Sequence, residues 1–193
     1  GVTVSHLRFG DQPIKSTYLI NEADFVACHN ESYVDQFDIV EDLKKGGTFL
    51  LNTTWAEEEL EANLPAEMKQ YLAERNIDFY IINAYEIAEK VGLGGRINMV
   101  MQTAFFKVAD IIPIDDAIEY LKNAIQETYG HKGDEIVEMN YNAVDKALED
   151  LERIDIPASW AEAKDKSIDE TADRPEFIKN VLDPITAQKG NEL

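Results

Sequence analysis

Residues 46–52 read GGTFLLN, and this stretch decides the fold. The two glycines end any preceding helix, so the apolar run after them is predicted to be a buried strand. Similar short apolar runs occur at residues 25–29 (FVACH) and 79–82 (FYII). Segments with helical spacing of apolar residues separate the runs. This alternation of strand and helix predicts an α/β layer structure with parallel strands.

Helices are predicted where apolar residues recur every three or four positions. Thr53 and Thr54 are expected to cap the helix predicted at residues 57–62. The predicted helices cover residues 32–45, 57–62, 65–72, 85–91, 97–108, a stretch beginning at Pro113, and residues 134 to about 154.

The two ends of the chain follow other patterns. Residues 2–9 alternate weakly between apolar and polar, and a turn sequence at 10–13 precedes a second such run at 14–20, which predicts a β-hairpin. After residue 154, prolines interrupt a charged sequence with isolated apolar residues. This part is predicted to be a connector arm that packs on something else.

Composition excludes several classes of protein. The chain of 193 residues carries a formal net charge of −20, which repels nucleic acid and anionic membrane surfaces. A single cysteine, Cys28, cannot form an internal disulfide or supply the thiolates of a zinc or iron–sulfur site. No apolar run is long enough to span a membrane, and the start lacks signal-peptide features. We expect a cytoplasmic protein, and the start without Met suggests an excised piece.

Two segments are locally positive against this acidic background. Residues 1–21 contain Asp11 as their one acid, and residues 91–109 contain none while carrying Arg96 and Lys107. Within the second segment, GLGGRIN (92–98) precedes a predicted helix. Glycines and free N–H groups at a helix start, together with an arginine, are suited to binding a phosphate or carboxylate. The same string also serves as a tight turn between packed helices, and spacing alone leaves both interpretations open.

The remaining polar residues do not indicate a catalytic site. His6 and Arg8 would share one face of a strand, and a lone strand histidine usually has a packing role. Cys28 and His29 are adjacent in a predicted strand, so their side chains would point to opposite faces. His131 lies in a glycine-flanked turn. The acids at residues 57–61 suit a helix N-terminus better than a metal site. No catalytic residue and no metal ligand is predicted.

Several strings, with their spacing, closely resemble the gamma-type domain, the third domain, of pyruvate:ferredoxin (flavodoxin) oxidoreductases. The resemblance covers about residues 1–150, and the tail is similar to the connector to that enzyme's next domain. The strings are GVTVSHLRFG, ADFVACHN, GGTFLLN, GLGGRINMVMQTAFFKVAD and YGHKGDEIVEMNYNAVD.

The resemblance implies a three-layer α/β/α fold with a mixed, mainly parallel sheet, followed by helices and an extended C-terminal arm. It implies a gamma-type domain at residues 1–154 and a connector arm at 155–193. Family members place a strand, a glycine-rich turn and a helix before GVTVSHLRFG, and these are absent here. The absence predicts an open apolar surface, and with it a homodimer or poor solubility.

The family oxidatively decarboxylates pyruvate with coenzyme A (CoA), giving acetyl-CoA and CO2, and passes the electrons to ferredoxin or flavodoxin. Thiamine diphosphate, Mg²⁺ and [4Fe-4S] clusters are held by other parts of the enzyme, so the isolated domain is expected to be inactive. The gamma-type domain is associated with admitting CoA. We therefore expect CoA phosphates to be bound by Arg8, Gly94, Gly95, Arg96 and Asn98.

Two alternatives remain open on the sequence. One is the same domain of an enzyme acting on another 2-oxo acid, whether branched-chain, aryl or 2-oxoglutarate. The other is a structural inter-domain module that binds no ligand, in which the positive segments contact an acidic neighbouring domain.

Overall fold

A computed structural model describes residues 2–15 and 19–164, together with residues 176, 177, 181 and 185. It contains a four-stranded sheet in the order β1-β2-β3-β4. The strands are β1 (Ala23–Cys28), β2 (Leu43–Asn52), β3 (Asp78–Ile82) and β4 (Glu152–Ile154). The first three strands are parallel and β4 is antiparallel to β3. The predicted mixed, mainly parallel sheet is confirmed.

Six α-helices accompany the sheet in the described residues. They are α1 (Glu57–Asn63), α2 (Ala66–Glu74), α3 (Ala84–Lys90), α4 (Asn98–Ala109), α5 (Ile114–Tyr129) and α6 (Asp134–Asp150). All six were predicted from apolar spacing. Helix α6 ends earlier than predicted, because residues 152–154 leave the helix and form β4.

Alternation along β2 divides the core into two layers. Phe49 and Leu51 face a cluster formed with α1 and α2, whereas Leu50 faces a cluster formed with α3, α4 and α6. Phe49 and Leu50 are both 0% exposed, as expected for a central strand covered on both faces. Helix α5 packs outside, against α6. The predicted α/β/α layering is therefore present.

The predicted helix over residues 32–45 is wrong. Only a short 3-10 helix, Glu31–Tyr33, forms there, and β2 already begins at Leu43. Leu43 pairs with Ala23, and the register shifts before Thr48 pairs with Phe25. The apolar residues of this segment are buried by packing onto the first core cluster rather than by a helical face. Gly46 adopts φ 74° inside the irregular part of β2, so it shapes a bulge instead of ending a helix.

The predicted hairpin at the N-terminus is also wrong for the described residues. Residues 2–15 form no strand, and residues 16–18 lie outside the described part. Large apolar side chains of this arm are exposed, Val4 and Leu7 both at 67%. A two-stranded hairpin is marginally stable unless one face packs on a core. The arm does not bury such a face.

The predicted caps at Thr53 and Thr54 are wrong as well. Helix α1 begins after Ala56, whose backbone N–H donates to the Glu59 carboxylate at 2.9 Å. The two threonines instead bind Glu31, as described below.

The chain after β4 folds back onto the domain. Residues 158–162 form a 3-10 helix on α2, and Trp160 is 2% exposed beside Phe79. Most of the predicted connector arm, from residue 165 onward, lies outside the described residues. No helix in residues 2–15 and 19–164 is long and apolar enough to cross a membrane.

Candidate functional site

The loop between α3 and α4 begins with a glycine-dependent helix end. Gly92 adopts φ 85°, and its N–H donates to the Glu89 carbonyl at 3.0 Å. The N–H of Leu93 donates to the Ala88 carbonyl at 2.7 Å. These two bonds are the Schellman pattern that closes a helix, and they bury Leu93 in the core. Gly92 and Leu93 therefore form the tight turn between packed helices that was one of the two interpretations of this sequence.

The second part of the string is open to solvent. Gly94 adopts φ 59°, and a Cβ added at Gly94 or at Gly95 would meet nothing within 4 Å. Arg96 is exposed, and its Nε donates to the Leu93 carbonyl at 2.9 Å. That bond uses one of the five N–H donors of the guanidinium. The loop thus holds Arg96, through its bond to the Leu93 carbonyl, beside the solvent-accessible backbone of Gly94 and Gly95.

Helix α4 adds its N-terminal dipole at the same place. Asn98 is its first residue, and Ile97 at the cap position supplies no side-chain hydrogen bond. The first turn of α4 carries no acidic residue. The positive end of the helix therefore faces the loop with no carboxylate in its own first turn. Gly94, Gly95 and Arg96 lie in this loop, and Asn98 opens the helix that follows it.

The N-terminal segment that carries Arg8 contacts α4 farther along the helix. The neighbouring Phe9 stacks on Phe105 of α4, with ring centroids 6.1 Å apart. Phe105 lies seven positions after Asn98, about 10 Å along the helix axis. The structure thus joins the two acid-poor segments, but at the middle of α4 rather than at the glycine loop.

Cys28 and His29 do not form a reactive pair. Cys28 is 4% exposed, its Sγ donates to the Asn30 carbonyl at 3.1 Å, and burial raises the pKa of its thiol. Burial lowers the pKa of the His29 imidazole. A raised thiol pKa opposes formation of the nucleophilic thiolate. Within the described part of the chain, no group of three or more His, Cys, Asp or Glu side chains is arranged to hold a metal ion.

Sequence reasoning missed a polar network where β1 and β2 end. The Glu31 carboxylate accepts hydrogen bonds from the Thr53 hydroxyl, from the Thr54 N–H at 2.7 Å and from the Thr54 hydroxyl at 3.0 Å. Asn52, 1% exposed, donates to the His29 carbonyl and accepts from the Ala84 N–H. Polar residues directly after an apolar strand were the available signal. The network fixes the carboxyl ends of the parallel strands to one another.

A cleft of about 190 Å³ lies beside this network. Its acidic lining residues are Glu86, Asp150 and Glu152. Carboxylates repel phosphates, so this cleft is unsuited to the anion predicted from the sequence. The α3–α4 loop remains the candidate anion site.

Comparison with known proteins identifies the family. Residues 1–150 match the family model described as "Pyruvate ferredoxin/flavodoxin oxidoreductase". Over its full length the chain is 56% identical to a pyruvate:ferredoxin oxidoreductase of Moorella thermoacetica and 51% identical to a pyruvate-flavodoxin oxidoreductase of Enterobacter agglomerans. It is also 43% identical to a pyruvate dehydrogenase [NADP(+)] of Cryptosporidium parvum.

A solved structure shares the fold. It is a pyruvate oxidoreductase subunit PORC of Thermotoga maritima, with a TM-score of 0.56 and 21% identity, covering 70% of this chain and 67% of the subunit. The chain spans only 16% of the length of the Moorella and Enterobacter proteins and 11% of the Cryptosporidium protein. The family match over residues 1–150, with high identity along the whole chain, shows that the chain belongs to the pyruvate ferredoxin/flavodoxin oxidoreductase family.

Proposed function

We propose that this chain forms one part of an enzyme that oxidatively decarboxylates pyruvate with CoA and passes the electrons to ferredoxin or flavodoxin. The observation that carries the proposal is the 56% identity over all 193 residues to a pyruvate:ferredoxin oxidoreductase. In this proposal residues 1–154 are the gamma-type domain and residues 155–193 lead toward another part of the enzyme.

The chain does not fit the redox cofactors of such an enzyme. A [4Fe-4S] cluster needs several cysteine thiolates, and the sequence has one cysteine, which is buried. The clusters are therefore assigned to other parts of the enzyme, and thiamine diphosphate and Mg²⁺ are assigned there because the family resemblance implies it. It follows that the chain alone should not turn over pyruvate.

The proposed role of this domain is to help bind CoA at the α3–α4 loop. The net charge of −20 repels the phosphates of CoA over most of the surface. The exposed Arg96, the accessible glycine backbone and the positive end of α4 form a local exception. Phosphates suit such a helix start, and an arginine beside it adds charge-assisted hydrogen bonds.

Substitution of the two arginines tests this role in the assembled enzyme. A hydrogen bond to a charged group contributes about 1.5–3 kcal/mol, so Arg96→Ala should raise the KM for CoA by roughly 10-fold to 150-fold. The KM for pyruvate should not change. Arg8→Ala should have a smaller effect, because Phe9 places this part of the arm near Phe105.

Arg75→Ala is the matched control. Arg75 follows α2, on the other side of the sheet from α4, and its guanidinium packs over the Tyr71 ring at 4.6 Å. Its loss should leave the KM for CoA unchanged. An unaltered CoA dependence in both Arg96→Ala and Arg8→Ala would remove the proposed site. Assaying the enzyme with 2-oxoglutarate and branched-chain 2-oxo acids checks the substrate independently of the CoA site.

The exposed N-terminal arm favours a second function, contact with another part of the enzyme. Its large apolar side chains are mostly exposed; they are Val4, Leu7, Phe9, Ile14 and, beyond the undescribed residues, Leu19. Exposed apolar clusters of this kind mark interaction surfaces. Replacing Leu7 and Val4 by Ser should weaken assembly of the enzyme without altering the KM for CoA if the arm serves only as a contact.

A further inference from the structure

Residues 155–163, called the strap from here on, are held to the domain mainly at two points. The strap follows Ile154 of β4, which pairs with Phe79 and is 4% exposed. Near the other end of the strap, Trp160 is 2% exposed and lies against the same Phe79. Of the residues between these two points, Ile156 packs partly on the first core cluster and the others are exposed.

A groove of about 460 Å³ lies between the middle of the strap and the end of α2. It is lined on one side by residues 153–158 and 161, and on the other by residues 72–73 and 76–78. The strap therefore does not pack continuously on the domain. A segment with few buried apolar contacts opens at a lower free energy than the central strands and helices.

Glu61 of α1 holds the far end of the strap. Its carboxylate accepts a hydrogen bond from the Trp160 indole N–H. The Lys69 side chain is 9% exposed, and its Nζ donates to the Glu61 carbonyl at 2.8 Å and lies 3.4 Å from the Glu61 carboxylate. The buried ammonium thus holds the carboxylate at the position where the indole meets it. Hydrogen bonds to a charged acceptor are stronger than those between neutral groups.

The strap is also closed on itself and tied to α2. The N–H of Trp160 donates to the Pro157 carbonyl at 3.0 Å, and the N–H of Ala163 donates to the Trp160 carbonyl at 3.1 Å. The Gln70 side-chain amide donates to the Ala163 carbonyl at 2.7 Å. Helix α2 covers the face of the sheet opposite α4. The chain therefore reaches residue 164 on the face opposite the α3–α4 loop.

We propose that the strap is a conformational device that opens as one unit without unfolding of the core. The Glu61–Trp160 bond holds the closed position, and the closed position sets the direction in which the chain continues past residue 164. The Glu61 side chain is 63% exposed, so water takes the place of the indole when the strap opens. The device goes beyond the role in CoA binding and does not depend on it.

Native-state hydrogen exchange of the 193-residue chain tests whether the strap opens as a unit. The amides of Trp160 and Ala163 both donate within the strap, so they should become exchangeable in the same opening event. After correction for intrinsic rates, we expect both to exchange equally fast and at least about tenfold faster than the amides of β2. Exchange of the two strap amides only together with those of β2 would overturn the proposal.

A glycine on α6 separates opening of the strap from global unfolding. Ala147 of α6 is buried in the second core cluster, across the sheet from the strap. Ala147→Gly weakens the helix and should speed exchange of the β2 amides by about fivefold or more. The strap amides should exchange as before, because α6 stays folded when the strap opens. Equal acceleration of the strap and of β2 would contradict a separate opening.

Three substitutions of glutamate test the role of Glu61. Glu61→Ala removes the acceptor of the indole N–H and should speed exchange of the strap amides by about fivefold or more. Glu61→Gln keeps an oxygen acceptor and should have a smaller effect. Glu138→Ala is the matched control, because Glu138 is exposed on α6, across the sheet. Equal strap exchange in Glu61→Ala and Glu138→Ala would refute the role of Glu61.

Spin labels at Lys164→Cys and Asn123→Cys, in a Cys28→Ala background, test the direction of the chain. Asn123 is exposed on α5 and serves as the fixed reference. The distribution of distances between the labels should be narrow with the strap intact and should broaden in Trp160→Ala. If Trp160→Ala fails to fold, Glu61→Ala provides the same comparison with a smaller broadening. Distributions that stay equally narrow in the folded variants would refute the proposal.

Discussion

Replacement of Trp160 tests whether the segment after β4 is an integral part of the domain. Trp160 is 2% exposed, lies 6.5 Å from Phe79 between ring centroids and donates its indole N–H to the Glu61 carboxylate. Phe79 in turn stacks on Phe49 at 5.4 Å, in the centre of the first core cluster. Loss of a buried large aromatic side chain costs about 3–5 kcal/mol. Trp160→Ala should therefore lower the free energy of unfolding by that amount.

Trp160→Phe separates packing from hydrogen bonding. The phenyl ring retains most of the contact with Phe79. The Glu61 side chain is 63% exposed, so water hydrates its carboxylate when the indole N–H is lost. The expected cost is about 1 kcal/mol, well below that of Trp160→Ala.

Urea unfolding followed by circular dichroism measures both variants. For a chain of this size each 1 kcal/mol shifts the Tm by roughly 2–4 °C, so heating provides an independent check. A chain that ends at residue 154 should lose at least as much stability as Trp160→Ala, because it lacks the whole docked segment. A loss below about 1 kcal/mol in Trp160→Ala would refute packing of residues 158–162 on the core.

Two further predictions concern the glycine loop and pH. Gly92→Ala should lower the unfolding free energy by about 1–2 kcal/mol because the left-handed conformation disfavours a Cβ, whereas Gly95→Ala, with no such φ and open space, should be nearly neutral; equal effects in urea titrations would contradict the loop geometry. Burial lowers the pKa of His29 in the folded chain, so the unfolded chain binds more protons near pH 6 and stability should fall as pH drops below about 6.5. His29→Gln should reduce the dependence of the unfolding free energy on pH. An unchanged slope would show that His29 does not cause this dependence.

The cores of β1 to β3 and the six helices were predictable because their sequences carry strong local signals, whereas β4 was not predicted. FLL (49–51) and FYII (79–82) pack on core clusters on both faces of the sheet, and such strands read as continuous apolar runs in any context. Helices α5 and α6 each bury one face, which produces the helical spacing seen in the sequence. The helix predicted over residues 32–45 was wrong because Val40 and Leu43 have helical spacing but are buried by tertiary contacts, not by the face of a helix. The strand that begins at Leu43 depends on pairing with Ala23, twenty residues earlier, which no local pattern reveals.

The candidate anion site was predictable only in its local half. Gly94, Gly95, Arg96 and Asn98 lie within five residues, so a single turn between helices brings them together whatever the rest of the chain does. Arg8 joins them only if the arm crosses the amino end of α4. The structure places the neighbouring Phe9 on Phe105, an interaction between residues 96 positions apart in the sequence. Charge composition identifies the acid-poor segments, but it does not show where in the fold these segments meet. The order of effects expected for CoA, with Arg96→Ala larger than Arg8→Ala, therefore comes from the structure and not from the sequence.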